Sequence, residues 1–199
     1  MTKQQRSQET RAHLLSVATR SFARNGYNAT GVAEICEQAG VSKGAFYYHF
    51  PSKQSVFLEL LNSWLFGLEQ SLETAIKETE TVPESLLNMA RMMQTLLVSD
   101  SEIILVFLEF WTQASRNEVV RQATIEPYQR YQAFFTKLIE QGIEEGSLEH
   151  VNPASGAQAL ISLASGLFFQ GVLDPKGSDW SQVTADSIQI LLDGLRRRA

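Results

Sequence analysis

The chain has 199 residues, 44% hydrophobic and 20% charged. These proportions exclude wholesale disorder and a fibrous repeat, and the length suffices for one domain or for two small ones sharing a core. The net charge is -5, which taken over the whole chain speaks against a polyanionic partner.

That average hides an asymmetry. Residues 1–55 hold seven basic and three acidic side chains, a balance of +4, whereas the remainder holds ten basic and nineteen acidic, a balance of -9. A basic head on an acidic body suggests that only the head meets a polyanion. The longest unbroken apolar run, Ile103 to Leu108, falls far short of the roughly 20 residues that cross a bilayer, so no membrane partner is expected. The polar amino terminus lacks a secretory h-region, and a cytoplasmic location is expected. Cys36 cannot form an intrachain disulfide, and His13, His49 and His150 are too scattered to make a metal site, so neither metal nor cofactor is expected.

The spacing predicts an all-α fold, because apolar residues recur at helical intervals and no stretch alternates as a half-buried strand would. A first helix spans about 7–24, with Leu14, Leu15, Ala18 and Phe22 on one face, and ends at Asn25-Gly26. A second, short helix covers about 31–38, with Thr30 as its N-cap and Val32, Ile35, Cys36 and Ala39 on its inner stripe. A third starts after Ser42 and ends near Phe50, where Pro51 forces a break. Two short helices joined by a glycine-bearing turn are the sequence form of a helix-turn-helix. A long helix follows over about 52–78, with Val56, Leu60, Trp64, Leu68 and Leu72 as its stripe, and links head to body. Further helices are predicted near 83–98, 101–115, 117–146, 153–173 and 180–197, with Pro127 kinking or splitting the 117–146 segment. The domain division expected from this pattern is 1–51 and 52–199.

The informative stretch is Gly40-Val41-Ser42-Lys43-Gly44-Ala45-Phe46-Tyr47-Tyr48-His49-Phe50-Pro51-Ser52-Lys53. Phe46 and Phe50, four apart, can face inward. Lys43, Gly44, Tyr47, Tyr48 and His49 are then presented outward, a surface suited to phosphates and base edges in a major groove about 12 Å wide. Lysine at the start of the helix can reach a guanine edge, glycine permits close approach, and the tyrosine rings can meet sugar, phosphate or thymine methyl groups. Lys53 is placed to hold a backbone phosphate.

Residues 10–55 resemble the DNA-binding head of the tetracycline-repressor (TetR) family, on Phe22 to Tyr27, the stretch AEICEQAGV at 33–41 and SKGAFYYHFPSK at 42–53. The resemblance implies a protomer of about nine helices: a three-helix helix-turn-helix head and a helical body that binds a ligand and dimerises. It also implies a homodimeric repressor that leaves its double-stranded DNA operator when a small molecule binds. By position, the family's DNA contacts fall on Lys43, Gly44, Ala45, Tyr47, Tyr48, His49 and Lys53, with Thr30 and Gly31 at the start of the second helix; Ser42 belongs to the same surface. The chain departs from the family pattern at Gly31, where Thr or Ser is frequent, and at Ala33, where a polar residue is frequent.

The body is rich in large apolar residues. Trp64, Met89, Met93, Phe107, Phe110, Trp111 and Tyr131, with Glu109 and Gln113 as polar members, are candidates to line a site for a hydrophobic effector. The simpler expectation for Glu109 is exposure to solvent or pairing with Arg91 or Arg116. Small residues and leucines on the last two helices, among them Gly156, Ala157, Leu160, Leu167, Ile188 and Leu192, suit a four-helix dimer interface. No paired catalytic carboxylates, nucleophile arrangement or phosphate-cradling glycine loop points to an enzyme. A transcriptional activator, or a DNA-binding protein without an effector, would carry the same head. If Lys53 holds a phosphate, Lys53→Ala should weaken binding to all DNA sequences and lower the salt slope by about one, as salt titrations would show.

Overall fold

A computed structural model describes residues 2–99 and 101–195; the side chains of residues 3, 93–99, 101 and 103 lie outside the description. Within it the chain forms nine α-helices and no strand: α1 (Lys3–Asn25), α2 (Val32–Ala39), α3 (Lys43–His49), α4 (Lys53–Lys77), α5 (Val82–Ser99), α6 (Ser101–Ala114), α7 (Glu118–Glu144), α8 (Pro153–Leu173) and α9 (Trp180–Leu195). Arg196 to Arg198, at the end of the last predicted helix, lie outside the described residues. Local chemistry explains the boundaries. Thr2 and Gln5 close a capping box at the start of α1. Asn152 accepts the Ser155 amide at 2.9 Å ahead of Pro153, opening α8. Pro127 neither ends nor divides α7, since a proline removes one ladder bond and the turns on either side carry the helix on.

Two compact units emerge: residues 1–66 with 100–124, and 67–99 with 125–199. This division by compactness does not fall at 51 and 52. The first unit comprises α1 to α3, the opening half of α4, and α6, which packs on α1. Phe22 meets Phe57 edge to face at 5.6 Å, Tyr27 lies 4.4 Å from Phe57, and Phe57 lies 4.2 Å from Phe110. This row of rings joins α1, the turn after it, α4 and α6, and aromatic pairs at such distances add to the gain from burial. In this unit the buried seam of α4 is Val56, Phe57, Leu61 and Leu65, with Leu60 and Trp64 only half-buried, so the inner stripe lies about one residue round from the one predicted.

The second unit has its own core of Leu72, Ala75, Leu86, Met89, Leu138, Ile139, Leu160, Ile188 and Leu192, where α5 packs along α9 and α9 on α8. The helix α8 reaches a mean hydropathy of 1.4 and is long and apolar enough, by length and composition alone, to cross a membrane. The expectation from unbroken apolar runs overlooked this, because serine, glycine and glutamine interrupt the run without lowering the average much. Gly156, Ala157, Leu160, Leu167 and Phe168 turn one side of α8 into the unit's interior.

Tyr131 is half-buried against this core. Burial, reinforced by the Glu69 carboxylate and opposed by Arg130, pushes its phenol well above the ordinary value. The folded state therefore favours the neutral phenol, and that stability is complete below about pH 10 and lost as pH rises further. Tyr131→Phe should flatten the alkaline fall in melting temperature above about pH 10 relative to the wild type; an unchanged slope would show that the phenol does not ionise at the expense of the fold.

Candidate nucleic-acid interface

Gly40 ends α2 in the left-handed conformation (φ 64°, ψ 31°), and its amide donates back to Cys36 O and Glu37 O. Most side chains resist that backbone geometry, so glycine here sets the angle between α2 and α3. Ser42 then caps α3 by accepting the Ala45 amide at 3.1 Å. Along α3, Phe46 is fully buried, and Phe50, the residue that caps its end, is nearly so. Tyr47 and Tyr48 stand 52% and 77% exposed, a wide departure from the usual burial of such rings. Lys43 and Gly44 are exposed as well, while Ala45 and His49 are half-buried. A side chain at Gly44 would meet only Ser42 Oγ, at 3.7 Å, and one at Gly31 would meet nothing within 4 Å. Packing within the chain does not require glycine at either position.

Around α3 the unit is braced. Arg11 of α1 forks onto the carboxylate of Glu59 in α4, and its guanidinium lies over the Phe50 ring, 5.0 Å from the centroid. Burial pushes the Cys36 thiol upward against an opposing pull from Lys43.

Two residues are placed otherwise than the sequence suggests. Thr30 is 1% exposed; its hydroxyl donates to Ser21 O at 3.1 Å and Gly26 O at 2.9 Å, and Gly31 is the N-cap of α2. Its side chain locks the turn between α1 and α2 and does not face outward. Lys53 reaches back to the same turn: Nζ donates to Tyr27 O at 2.6 Å and Thr30 O at 2.8 Å, and lies 4.3 Å from the Tyr27 ring centroid. Burial pushes its pKa down, and burial pushes the Tyr27 phenol up. A lysine spaced to meet phosphate is thus also a bracket for the head. No sequence signal reveals this, since the carbonyls it binds are backbone groups brought near by the fold.

The candidate effector residues fall into both units. In the first, Trp64 stacks on Phe107 at 4.4 Å, with the partly exposed Trp111 beside Phe107. Phe110 belongs to the ring row of the core. Glu109 accepts the Tyr27 amide at 3.0 Å, so one oxygen of its carboxylate is engaged by the backbone of the turn after α1. Gln113 is 5% exposed, and its Nε2 has no hydrogen-bond partner among the described residues. In the second unit, Met89 is core and Tyr131 half-buried; the Met93 side chain lies outside the described residues. Two surface depressions of this unit, about 450 and 370 Å³, are lined by other residues, around Glu84 and Arg91 and around Gln132 and Lys137. No group of three or more histidine, cysteine or carboxylate side chains suited to a metal occurs among the described residues.

A capped two-helix motif with exposed aromatic rings and a lysine defines a helix-turn-helix DNA-binding protein. Residues 14–60 match the model for bacterial regulatory proteins of the tetR family, and residues 83–198 match that for the C-terminal part of BetI-type transcriptional repressors. The chain is 28% identical over 203 residues to the HTH-type transcriptional regulator AcrR of Shigella flexneri, covering 96% of this chain and 91% of that one. Two solved structures share the fold with a TM-score of 0.83. One is a choline complex from Saccharomonospora viridis, 23% identical and covering 96% of this chain and all of that one. The other is the transcriptional regulator FadR from Bacillus subtilis in complex with stearoyl-CoA, 22% identical over 93% and 99%. The chain belongs to the tetR family of bacterial regulatory proteins and is a DNA-binding transcriptional regulator.

Lys53→Met keeps the apolar stem and removes the ammonium from two carbonyls, so urea unfolding should show a loss of about 1–2 kcal/mol. An unchanged midpoint would mean that solvent replaces both bonds without cost.

Proposed function

We propose that the chain is a homodimeric repressor whose two α3 helices enter successive major grooves of a pseudo-palindromic operator, about 34–36 Å apart. One observation carries the reading: α3 hides Phe46 while holding Tyr47 and Tyr48 in solvent beside Lys43. An isolated protomer gains nothing from exposing two rings on a basic helix, whereas a duplex offers them sugar, phosphate and methyl partners. Lys43, Gly44, Ala45, Tyr47, Tyr48 and His49 form the contact surface. Gly31 and the α2 amides behind it, which lack a side-chain cap, suit a phosphate. Functionally, residues 1–51 read DNA and residues 52–199 bind the effector and dimerise.

Dimerisation is assigned to a face of α8 and α9 narrower than the sequence suggests. Gly156, Ala157, Leu160, Leu167, Phe168, Ile188 and Leu192 are spent inside the protomer. Phe169, Leu173 and Ile190 remain exposed. Gly166 and Gly194 flank them with almost no intrachain neighbour at the Cβ position, which leaves room for close helix approach. The effector is a small hydrophobic molecule that shifts the dimer away from the spacing that fits DNA. Solved relatives hold choline and stearoyl-CoA, so one scaffold admits very different ligands. Acting on DNA places the protein in the cytoplasm.

Selection from random duplexes followed by footprinting should recover a pseudo-palindrome. Lys43→Ala and Tyr47→Ala should each lower operator affinity by about 1–3 kcal/mol and change base preference. Retention of both affinity and preference would remove α3 from the interface. Ile190→Glu should convert the dimer to a monomer in sedimentation equilibrium, and a persistent dimer would move the interface elsewhere.

A further inference from the structure

The turn between α1 and α2 is closed by its own bonds: Gly26 N donates to Phe22 O, Thr30 N to Gly26 O, and the Thr30 hydroxyl to Ser21 O and Gly26 O. Two side chains from outside also reach it. Lys53 of α4 takes the Tyr27 carbonyl at 2.6 Å. Glu109 of α6 takes the Tyr27 amide at 3.0 Å. The backbone of a single residue is therefore gripped by a cation on one side and a carboxylate on the other. The Tyr27 ring between them packs on Phe22 and Phe57.

Among the described residues, the Glu109 carboxylate makes its hydrogen bond to the Tyr27 amide. It interrupts the otherwise apolar run Ile103 to Trp111, on a helix that packs along α1. Its second carboxylate oxygen lies where a side chain at Gly26 would come within 3.3 Å, so glycine there, at φ 79°, both ends α1 and leaves room for the carboxylate. The chain passes directly from the gripped turn through Gly31 into α2, then through the Gly40 turn into α3. The gripping helix α6 belongs, with α1 to α3, to the first compact unit. A bond at 3.0 Å is lost once donor and acceptor part beyond about 3.5 Å, so a shift of α6 by less than an ångström suffices to release the amide.

We propose that Glu109 is a positioning residue for DNA binding: its grip on the Tyr27 amide, opposite Lys53 on the Tyr27 carbonyl, ties the placement of α2 and α3 to that of α6. The proposal deepens the regulator reading above and rests on it for the DNA readout. The bond joins two parts of one compact unit that lie 82 residues apart in the chain, the turn that leads into α2 and the helix α6.

The test compares full-length wild type, Glu109→Gln and Glu109→Ala. Glutamine keeps an acceptor oxygen at the same reach, while alanine removes it. Tyr27 amide exchange, followed by NMR, reads the bond without any DNA. It should be slow in the wild type and in Glu109→Gln, and faster by about tenfold in Glu109→Ala. Affinity for the selected operator should fall about tenfold in Glu109→Ala and stay within about threefold of wild type in Glu109→Gln. Affinity for a random duplex should stay within about twofold for both, because the phosphate-facing charges are unchanged. A residue that only stabilises the fold would lower the melting temperature and leave the specific-to-random ratio of the folded protein intact. If Glu109→Ala does not fold, Glu109→Asp serves, since it keeps the charge but is one methylene too short. The proposal is overturned if Tyr27 exchanges equally in wild type and the truncated variant, if their operator affinities agree within about twofold, or if glutamine fails to rescue. Failure of the wild type to select any operator would instead sink the regulator reading, while Tyr27 exchange would still decide whether the grip exists.

Discussion

A helix of seven residues is too short to persist alone, and α3 exists because Phe46 and Phe50 are pinned beneath it. Each fully buried phenylalanine contributes about 2–3 kcal/mol, and that burial fixes the helix's rotation as well as its presence. With those rings inward, Tyr47, Tyr48 and Lys43 have only the solvent side left. The proposed DNA-reading surface is therefore a by-product of the head's core: a substitution that loosened Phe46 would blur that face without touching an exposed residue. The Arg11 fork on Glu59, lying over Phe50, protects the same constraint from the outside.

The head also depends on groups distant in the chain. The ring row from Phe22 through Tyr27 and Phe57 to Phe110 makes α6, some ninety residues on, a structural member of the DNA-binding unit. Hydrogen bonds follow the same route, with Lys53 and Glu109 meeting on Tyr27. Residues 56–199 carry a net charge of -9, which a polyanion repels.

Much of the architecture was legible because helices announce themselves by period and by caps. Spacing and Pro153 give the segment at 153–173 its observed limits, Gly40 marks the end of α2, and Ser42 and Pro51 bracket α3. Spacing alone turns Phe46, Phe50 and Cys36 inward, where all three are buried. What escaped depends on partners. Periodicity tells which face of α6 is apolar but not that α1 will cover it, and a one-residue rotation of the α4 stripe is within the tolerance of an i, i+4 pattern. The hydrogen bonds of Thr30, Lys53 and Glu109 escape notice for a common reason: each is made to backbone atoms in or beside one turn, and backbone atoms carry no sequence signal. Gly156, Leu160 and Ile188 suited a dimer interface as well as an intrachain core, and only the packing of α8 and α9 separates the two uses.

The most direct measurement is a structure of the full-length protein on a duplex selected by the protein itself. Lys43, Tyr47 and Tyr48 should be covered by the major groove, with Phe46 and Phe50 still beneath them and α3 otherwise unmoved. Finding the two tyrosine rings still in solvent, with another surface against the duplex, would contradict the assignment of α3 as the element that reads DNA.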